Sequence, residues 1–302
     1  MAIIRHALML GAAPWHAAAS LAREASTCCL VSMVTSSIPW TGTTTTSTTV
    51  TPCSGPATVI VETPLVIATR ASTTSSESTV TPTVTPGGPC QIKPGCVAAG
   101  FSIDSYANPF GGYGRRRPSS YYLADGLCPI RSSLTNTTFF PQDYPPNLPE
   151  VTLDPTIPDQ PYFMNWTRET NGGIIVDANN FTLVYSGFYR APATGTYQLC
   201  ASADNEDDIF FGNDNAFSCT DGRPSADAEP LVMALRNGTV NEIKCTKVSL
   251  IKGQSYPIRN VMGNWSGPSA FNFTIQEPDV NFGDRKNSFA GEAYPHDCGR
   301  FV

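Results

Sequence analysis

Five oxygen-bearing side chains stand consecutively at Asp204, Asn205, Glu206, Asp207 and Asp208, inside the stretch YQLCASADNEDDIFFGNDNAFSC from Tyr197 to Cys219. Carboxylate and amide oxygens are hard donors, and a cluster of them repels itself unless a cation is shared. Calcium is the cation that takes six to eight such oxygens. Before the cluster, Tyr197, Leu199 and Ala201 alternate as one face of a strand; after it, Ile209-Phe210-Phe211 resumes an apolar run that Gly212 closes. The acids are therefore predicted to sit between two strands of one sheet, as a calcium site. A run of acids alone is more often a solvated turn, so the flanking sequence has to carry the reading. An EF-hand loop does not fit, because Ile209 stands where the motif needs glycine.

Other chemistries find little support. The three histidines are His6, His16 and His296. His296-Asp297-Cys298 places a histidine beside a cysteine, but sequence neighbours rarely present a nucleophile to its base, and Cys298 reads as half of a disulfide. G-x-S-x-G, H-E-x-x-H and a phosphate loop are absent from the sequence. A glycosidase needs two facing carboxylates, and nothing singles out a pair. The chain is expected not to be an enzyme.

The elements that must position the cluster follow from composition. A chain of 302 residues suggests about two domains. Thr/Ser-rich tracts lie almost entirely before Cys90, whereas aromatic and β-forming residues dominate after it. The expected division is 1–34 as a weak signal-like or artefactual N-terminus, 35–89 as a Thr/Ser/Pro-rich stalk or repeat, and 90–298 as a β domain. The stalk composition cannot bury a core, so it is expected to be largely disordered and extended, and it invites O-glycosylation. In the first segment, Arg5 and His6 precede ALMLGAAPW and HAAAS, which sketches a signal peptide interrupted by Pro14 and His16. No stretch approaches the 18 apolar residues of a membrane span, and the ending HDCGRFV carries no signal for a glycolipid anchor.

With 15% charged residues and a net charge of −6, there is no electrostatic case for nucleic acid. The basic triplet Arg115-Arg116-Arg117 reads as a solvated loop; the alternative, a processing site, is disfavoured by Pro118. Ten cysteines without a C-x-x-C pair point to disulfides and an extracytoplasmic address. Six sequons, headed by Asn136, Asn165, Asn180, Asn237, Asn264 and Asn272, agree with that address.

From Cys90 to Cys298 short β-type runs are separated by Gly, Pro, Asn and Asp. Ile174 to Val176, Phe181 to Tyr189 and Tyr197 to Ala201 read as strands, with a turn from Pro192 to Gly195. In AFNFTIQ, Phe271, Phe273 and Ile275 alternate with polar residues. Many short strands without a helical period predict an all-β sandwich or barrel.

Four blocks in this region resemble, in order, the GLEYA branch of the PA14 superfamily, the lectin-like domain of fungal adhesins: CVAAGFSIDSYANPF (Cys96 to Phe110), SGFYRAPATGTYQL (Ser186 to Leu199), SADNEDDIFFGNDNAFSC, and KGQSYPIRNVMGNWSGPSAFNFTIQEPD (Lys252 to Asp279). Trp40 to Pro64 is similar to a stalk repeat of fungal cell-surface adhesins. The resemblance implies a PA14-like antiparallel β-sandwich or barrel with long loops. It also implies a calcium ion held by two consecutive acidic residues joined by a cis peptide, together with a later Asn. Counting back from Gly212 without gaps carries the pair onto Asp204-Asn205; residue type alone would choose Asp207-Asp208, which stay as alternates. The later Asn falls on Asn264, with the backbone carbonyls of Ser266 and Pro268 completing the cage. Asn205 replaces an acid and should weaken the site. Trp265 would stack on a sugar ring, or else pack as a loop residue. Asn264 also heads a sequon and should be unglycosylated if it is a ligand.

The same resemblance implies that Cys90 or Cys96 pairs with Cys298. Cys219 with Cys245 is a second expected pair, and the seventh cysteine of the β domain is free or pairs with Cys28, Cys29 or Cys53. The implied function is calcium-dependent binding of cell-surface glycans through a terminal hexose, by a secreted, cell-wall or cell-surface adhesin. The alternatives are a structural or protein-binding wall module with a degenerate metal site, or a targeting module for a hydrolase elsewhere.

Overall fold

The computed structural model describes residues 46–50, 58–62, 87–108, 122, 127–237 and 240–301. The expectations for residues 1–34, most of 35–86 and the triplet 115–117 lie outside them. The chain forms two compact units, Met1–Ile67 and Ala68–Val302. In the first, β1 (Thr46–Val50) and β2 (Thr58–Glu62) pair as an antiparallel hairpin.

The second unit begins with β3 (Phe101–Tyr106), β4 (Arg131–Thr135), β5 (Phe139–Phe140), β6 (Thr152–Leu153), β7 (Phe163–Met164), β8 (Thr167–Glu169) and β9 (Ile175–Asp177). The long strands follow: β10 (Asn180–Arg190), β11 (Gly195–Asp204), β12 (Glu206–Phe211), β13 (Val232–Asn237), β14 (Val240–Asn241), β15 (Lys244–Leu250), β16 (Ser255–Trp265), β17 (Ala270–Gln276) and β18 (Ala293–Pro295). Among the described residues helix is confined to short 3₁₀ turns, such as His296–Cys298. One sheet runs β14-β13-β12-β16-β10-β3-β4, with β18 also on β10; the other runs β15-β11-β17-β5. The architecture is the all-β antiparallel sandwich that the alternating runs require.

Alternation decides what each sheet buries. Tyr197, Leu199 and Ala201 of β11 and Phe271, Phe273 and Ile275 of β17 meet Phe181, Leu183, Tyr185, Ile209 and Ile258 of the large sheet in one core. Tyr185 stacks on Phe271 at 5.1 Å between ring centroids. The large sheet is covered on its other face too. Val184, Phe188, Phe210 and Val261 pack there with Phe217, Tyr294, Cys90 and Cys298. A strand buried on both faces loses the inside–outside alternation, and every residue of β12, EDDIFF, is buried.

The second cover is held by disulfides. Cys90 pairs with Cys219 and Cys96 with Cys298, the latter being one of the two pairings the resemblance implies. The Cys219–Cys245 expectation is wrong. Cys245 of β15 lies directly opposite Cys200 of β11, with Cα atoms 4.1 Å apart, and the two form the third bridge. Cys219 is carried past Gly212 to the N-terminal segment, where its sulfur approaches the Pro89 carbonyl. Cys128, the seventh cysteine, is also disulfide-bonded.

Burial of Glu206, Asp207 and Asp208 at 1% exposure or less has an energetic consequence. Asp207 accepts a hydrogen bond from Asn260 Nδ2 at 2.7 Å. Burial pushes its carboxyl well above the usual range; the Asn260 bond opposes the shift, and Asp208 and Glu206 add to it. A folded pKa above the unfolded one means stability that is complete below the unfolded pKa, near 4, and lost as pH rises through the folded value. Asp207→Asn keeps the acceptor and removes the charge. It should raise the melting temperature at pH 7 by about 2–4 °C, as about 1 kcal/mol does for a domain of this size, and by less at pH 4. Equal shifts at both pH values by differential scanning fluorimetry would contradict this assignment.

Candidate functional site

The two sheets exchange chain at one end of the sandwich. β11 of the small sheet ends at Asp204, a single residue intervenes, and β12 of the large sheet starts at Glu206. Nearby, β16 leaves the large sheet at Trp265, and β17 enters the small one at Ala270. Asp204 lies opposite Ala270 and Glu206 opposite Gly263, so the two crossovers run side by side. The Asp204–Asn205 peptide bond is cis.

These crossovers bring Asp204-Asn205 and the surroundings of Asn264 together. Asn205 N–H donates to Gly263 O at 3.3 Å, and Asn205 Oδ1 accepts from Trp265 N–H at 2.6 Å, so the dyad binds both neighbours of Asn264. Asn264 itself is 0% exposed. Its amide nitrogen donates to Ala178 O at 3.0 Å and Gly267 O at 3.3 Å, which fixes the amide orientation. Its Oδ1 is buried and has no hydrogen-bond partner. Such an oxygen costs about 1–3 kcal/mol unless something with positive charge faces it.

Ser266 and Pro268 lie in the loop joining β16 to β17. Ser266 and Gly267 have φ of 66° and 70°, in the left-handed region. Ser266 N–H donates to Asn179 O, and Gly267 N–H to Pro161 O. The loop is braced from behind by Asp143, whose Oδ1 accepts from Ser269 N–H at 2.8 Å and pairs with Arg168 at 2.8 Å. Trp265 is half-buried, with its ring 5.5 Å from that of Tyr162. Asp207 and Asp208 lie inside β12, where successive side chains take opposite faces, so the two cannot address one ion together.

Asp204 is 1% exposed and well partnered. Gln142 Nε2 donates to its Oδ2 at 2.9 Å, while Asn205 Nδ2 and Arg236 Nη1 each reach Oδ1 at 3.0 Å. Burial raises its pKa, against these bonds and the Arg236 charge. Gln142, Arg236, Asp143 and Arg168 escape a reading of the sequence. Gln142 and Arg236 stand 62 and 32 residues from Asp204, and Asp143 stands 126 from Ser269, with no local motif around them.

Among the described residues no three His, Cys, Asp or Glu side chains form a metal-ligating group. Apart from Asp143, which pairs with Arg168, and Glu206 at the start of β12, the donors at the crossovers are the Asp204 carboxylate, side-chain amides and backbone carbonyls. Residues 181–277, which contain both crossovers, match the GLEYA domain family. The GLEYA match spans β10 to β17, the strands that meet at the site.

No curated protein matches the chain. Among solved structures, the epithelial adhesin 9 A domain of Candida glabrata, in complex with Galb1-4GlcNAc, is 22% identical over 72% of this chain and 99% of its own, with a TM-score of 0.50. A subtype-switched epithelial adhesin 9 to 1 A domain from the same organism, in complex with beta-lactose, is 21% identical over 70% and 95%, also with a TM-score of 0.50. At these identities the likeness is one of fold.

Proposed function

We propose that this β domain is a calcium-dependent lectin domain of a fungal cell-surface or secreted adhesin, binding glycans through a terminal hexose. The observation that carries the reading is the buried Asn264 Oδ1 without a partner, beside the Asp204-Asn205 crossover. The donor set fits calcium rather than zinc or copper, since it offers oxygen and no thiolate or imidazole. Asp204, Asn205 and Asn264 side-chain oxygens would hold the ion, with the Ser266 and Pro268 carbonyls. When bound, the ion supplies open coordination positions that two vicinal hydroxyls of a sugar can fill. Asn205 and Asn264 are held in orientation by the Trp265 N–H and by two backbone carbonyls. Trp265 offers an apolar face at the rim, buttressed by Tyr162. The sugars named with the two adhesin structures both contain galactose, which makes galactosides the first ligands to try.

The site contains no nucleophile–base pair, and no enzymatic role is proposed. The disulfides and sequons support an extracellular setting, at a cell wall or surface. Glycopeptide mass spectrometry of secreted protein should find Asn165, which is exposed, carrying a glycan, and Asn264 unmodified. Occupancy at Asn264 would remove the proposed ligand.

A glycan array run with calcium and with chelator tests the function. Binding abolished by chelator supports it; binding indifferent to chelator overturns the mechanism, and no binding overturns the lectin role. A second reading, a wall module with a degenerate site, is favoured by one observation: Asn205 removes a charge from the dyad and Arg236 neutralises the other. It predicts no saturable heat when calcium is titrated.

A further inference from the structure

We infer that Arg236 is a built-in counter-ion that competes with a metal cation for the Asp204 carboxylate and so sets the cation affinity of this end of the domain. The inference rests on the calcium reading above and concerns its regulation. Arg236 is held next to the dyad by its backbone, since its N–H donates to Asn205 O at 2.8 Å. Its guanidinium then reaches Asp204 Oδ1 at 3.0 Å. The exposures of the two side chains differ, 32% for Arg236 and 1% for Asp204. Arg236 therefore has a way out to solvent, and the carboxylate has none.

The charges of the local set decide the outcome. An acid at position 205 would leave the dyad with a surplus negative charge after pairing with Arg236. With Asn205 the dyad carries one negative charge and Arg236 one positive, so dyad and counter-ion together are neutral and attract a dication less than an acidic pair would. A calcium ion at about 2.3–2.6 Å from the carboxylate would also sit within roughly 5 Å of the guanidinium, where like charges repel across a partly desolvated gap. Binding of the ion must displace the guanidinium, and by linkage the guanidinium must weaken the ion.

The displacement has a structural outlet. Arg236 pairs across the β13–β14 hairpin with Asn241, whose Nδ2 donates to Gln142 Oε1 at 3.3 Å, and Gln142 donates in turn to Asp204. Hairpin, Gln142 and carboxylate thus form one ring of contacts. Cation occupancy and the position of this hairpin are coupled.

Calcium titration calorimetry on the wild-type chain, Arg236→Met, Arg236→Gln and Asn205→Asp tests this, with circular dichroism melts confirming that each variant is folded. Both Arg236 variants should bind calcium at least tenfold more tightly than wild type, because each keeps the backbone bond and removes the charge. If one fails to fold, the other decides. Equal or weaker binding in a folded Arg236 variant, with measurable binding in wild type or Asn205→Asp, overturns the role of Arg236 alone. No binding by any of the four at millimolar calcium overturns the calcium reading and this inference with it.

Discussion

Replacing Asn205 by Asp should make the thermal stability of the β domain depend strongly on calcium. In the wild-type chain Asn205 Nδ2 donates to Asp204 Oδ1 at 3.0 Å, so the two dyad side chains attract each other. The variant removes the donor and sets two carboxylates in that contact, next to a residue only 1% exposed. Two unit charges about 4 Å apart repel by about 4 kcal/mol at an effective dielectric of 20, and Arg236 offsets part of it. Without calcium the melting temperature should fall by about 5–10 °C, at about 2–4 °C per kcal/mol. With calcium at a hundred times its dissociation constant, the ion returns about 2.7 kcal/mol, and the variant should melt at or above wild type. Asp204→Asn is the converse: it leaves no charge in the dyad and should show no calcium response at all. Scanning calorimetry of both variants with calcium and with chelator checks the pair. An Asn205→Asp protein that melts identically in the two buffers would refute a cation between these crossovers.

The register that places Asp204-Asn205 between β11 and β12 was legible because a strand's faces are fixed by counting. Phe211 and Ile209 bury into the core between the sheets, and a gap between β11 and β12 would have turned them outward. The same counting shows Asp207 and Asp208 inside β12. What the sequence does not show is that the outer face of β12 is also covered, because the cover comes from segments around Cys90, Phe217 and Cys298, far away in the chain. The acids therefore look like a solvated or ligating cluster when three of them are buried residues of one strand, β12. Disulfide pairing was hidden for a related reason. Cys200 faces Cys245 through the β11–β15 register, which depends on where a strand starts rather than on cysteine spacing. Arg236 and Gln142 were hidden because their importance lies in contacts to Asp204 that only the sheet exchange creates.

Removal of the Cys96–Cys298 bridge should cost stability heavily and leave the site intact. The bridge spans 202 residues, but Cys90–Cys219 already shortens the path. The six residues from Cys90 to Cys96 and the 79 from Cys219 to Cys298 leave a closed loop of about 85. On the chain-entropy account, closing a loop of that length is worth about 4–5 kcal/mol, or about 10–18 °C in melting temperature for a domain of this size. Lys93 N–H bonding to Cys298 O and Arg300 N–H to Gln91 O tie the same two segments, so the cover should loosen rather than leave. The bridged segments of the cover lie toward the far end of the central strands. Cys90 pairs beside Ser255, where β16 begins, whereas Asn264 and Trp265 lie where its 11 residues end, about 33 Å away at strand rise. Double Ser substitution at Cys96 and Cys298 should therefore lower the melting temperature by that amount while the folded protein keeps its calcium affinity within about twofold, since sites that far apart without shared partners are close to additive. A calorimetric titration below the melting point separates the two effects. If calcium affinity fell along with stability, the crossover end would be coupled to the cover through β16, and the ends of that strand could not be treated as independent.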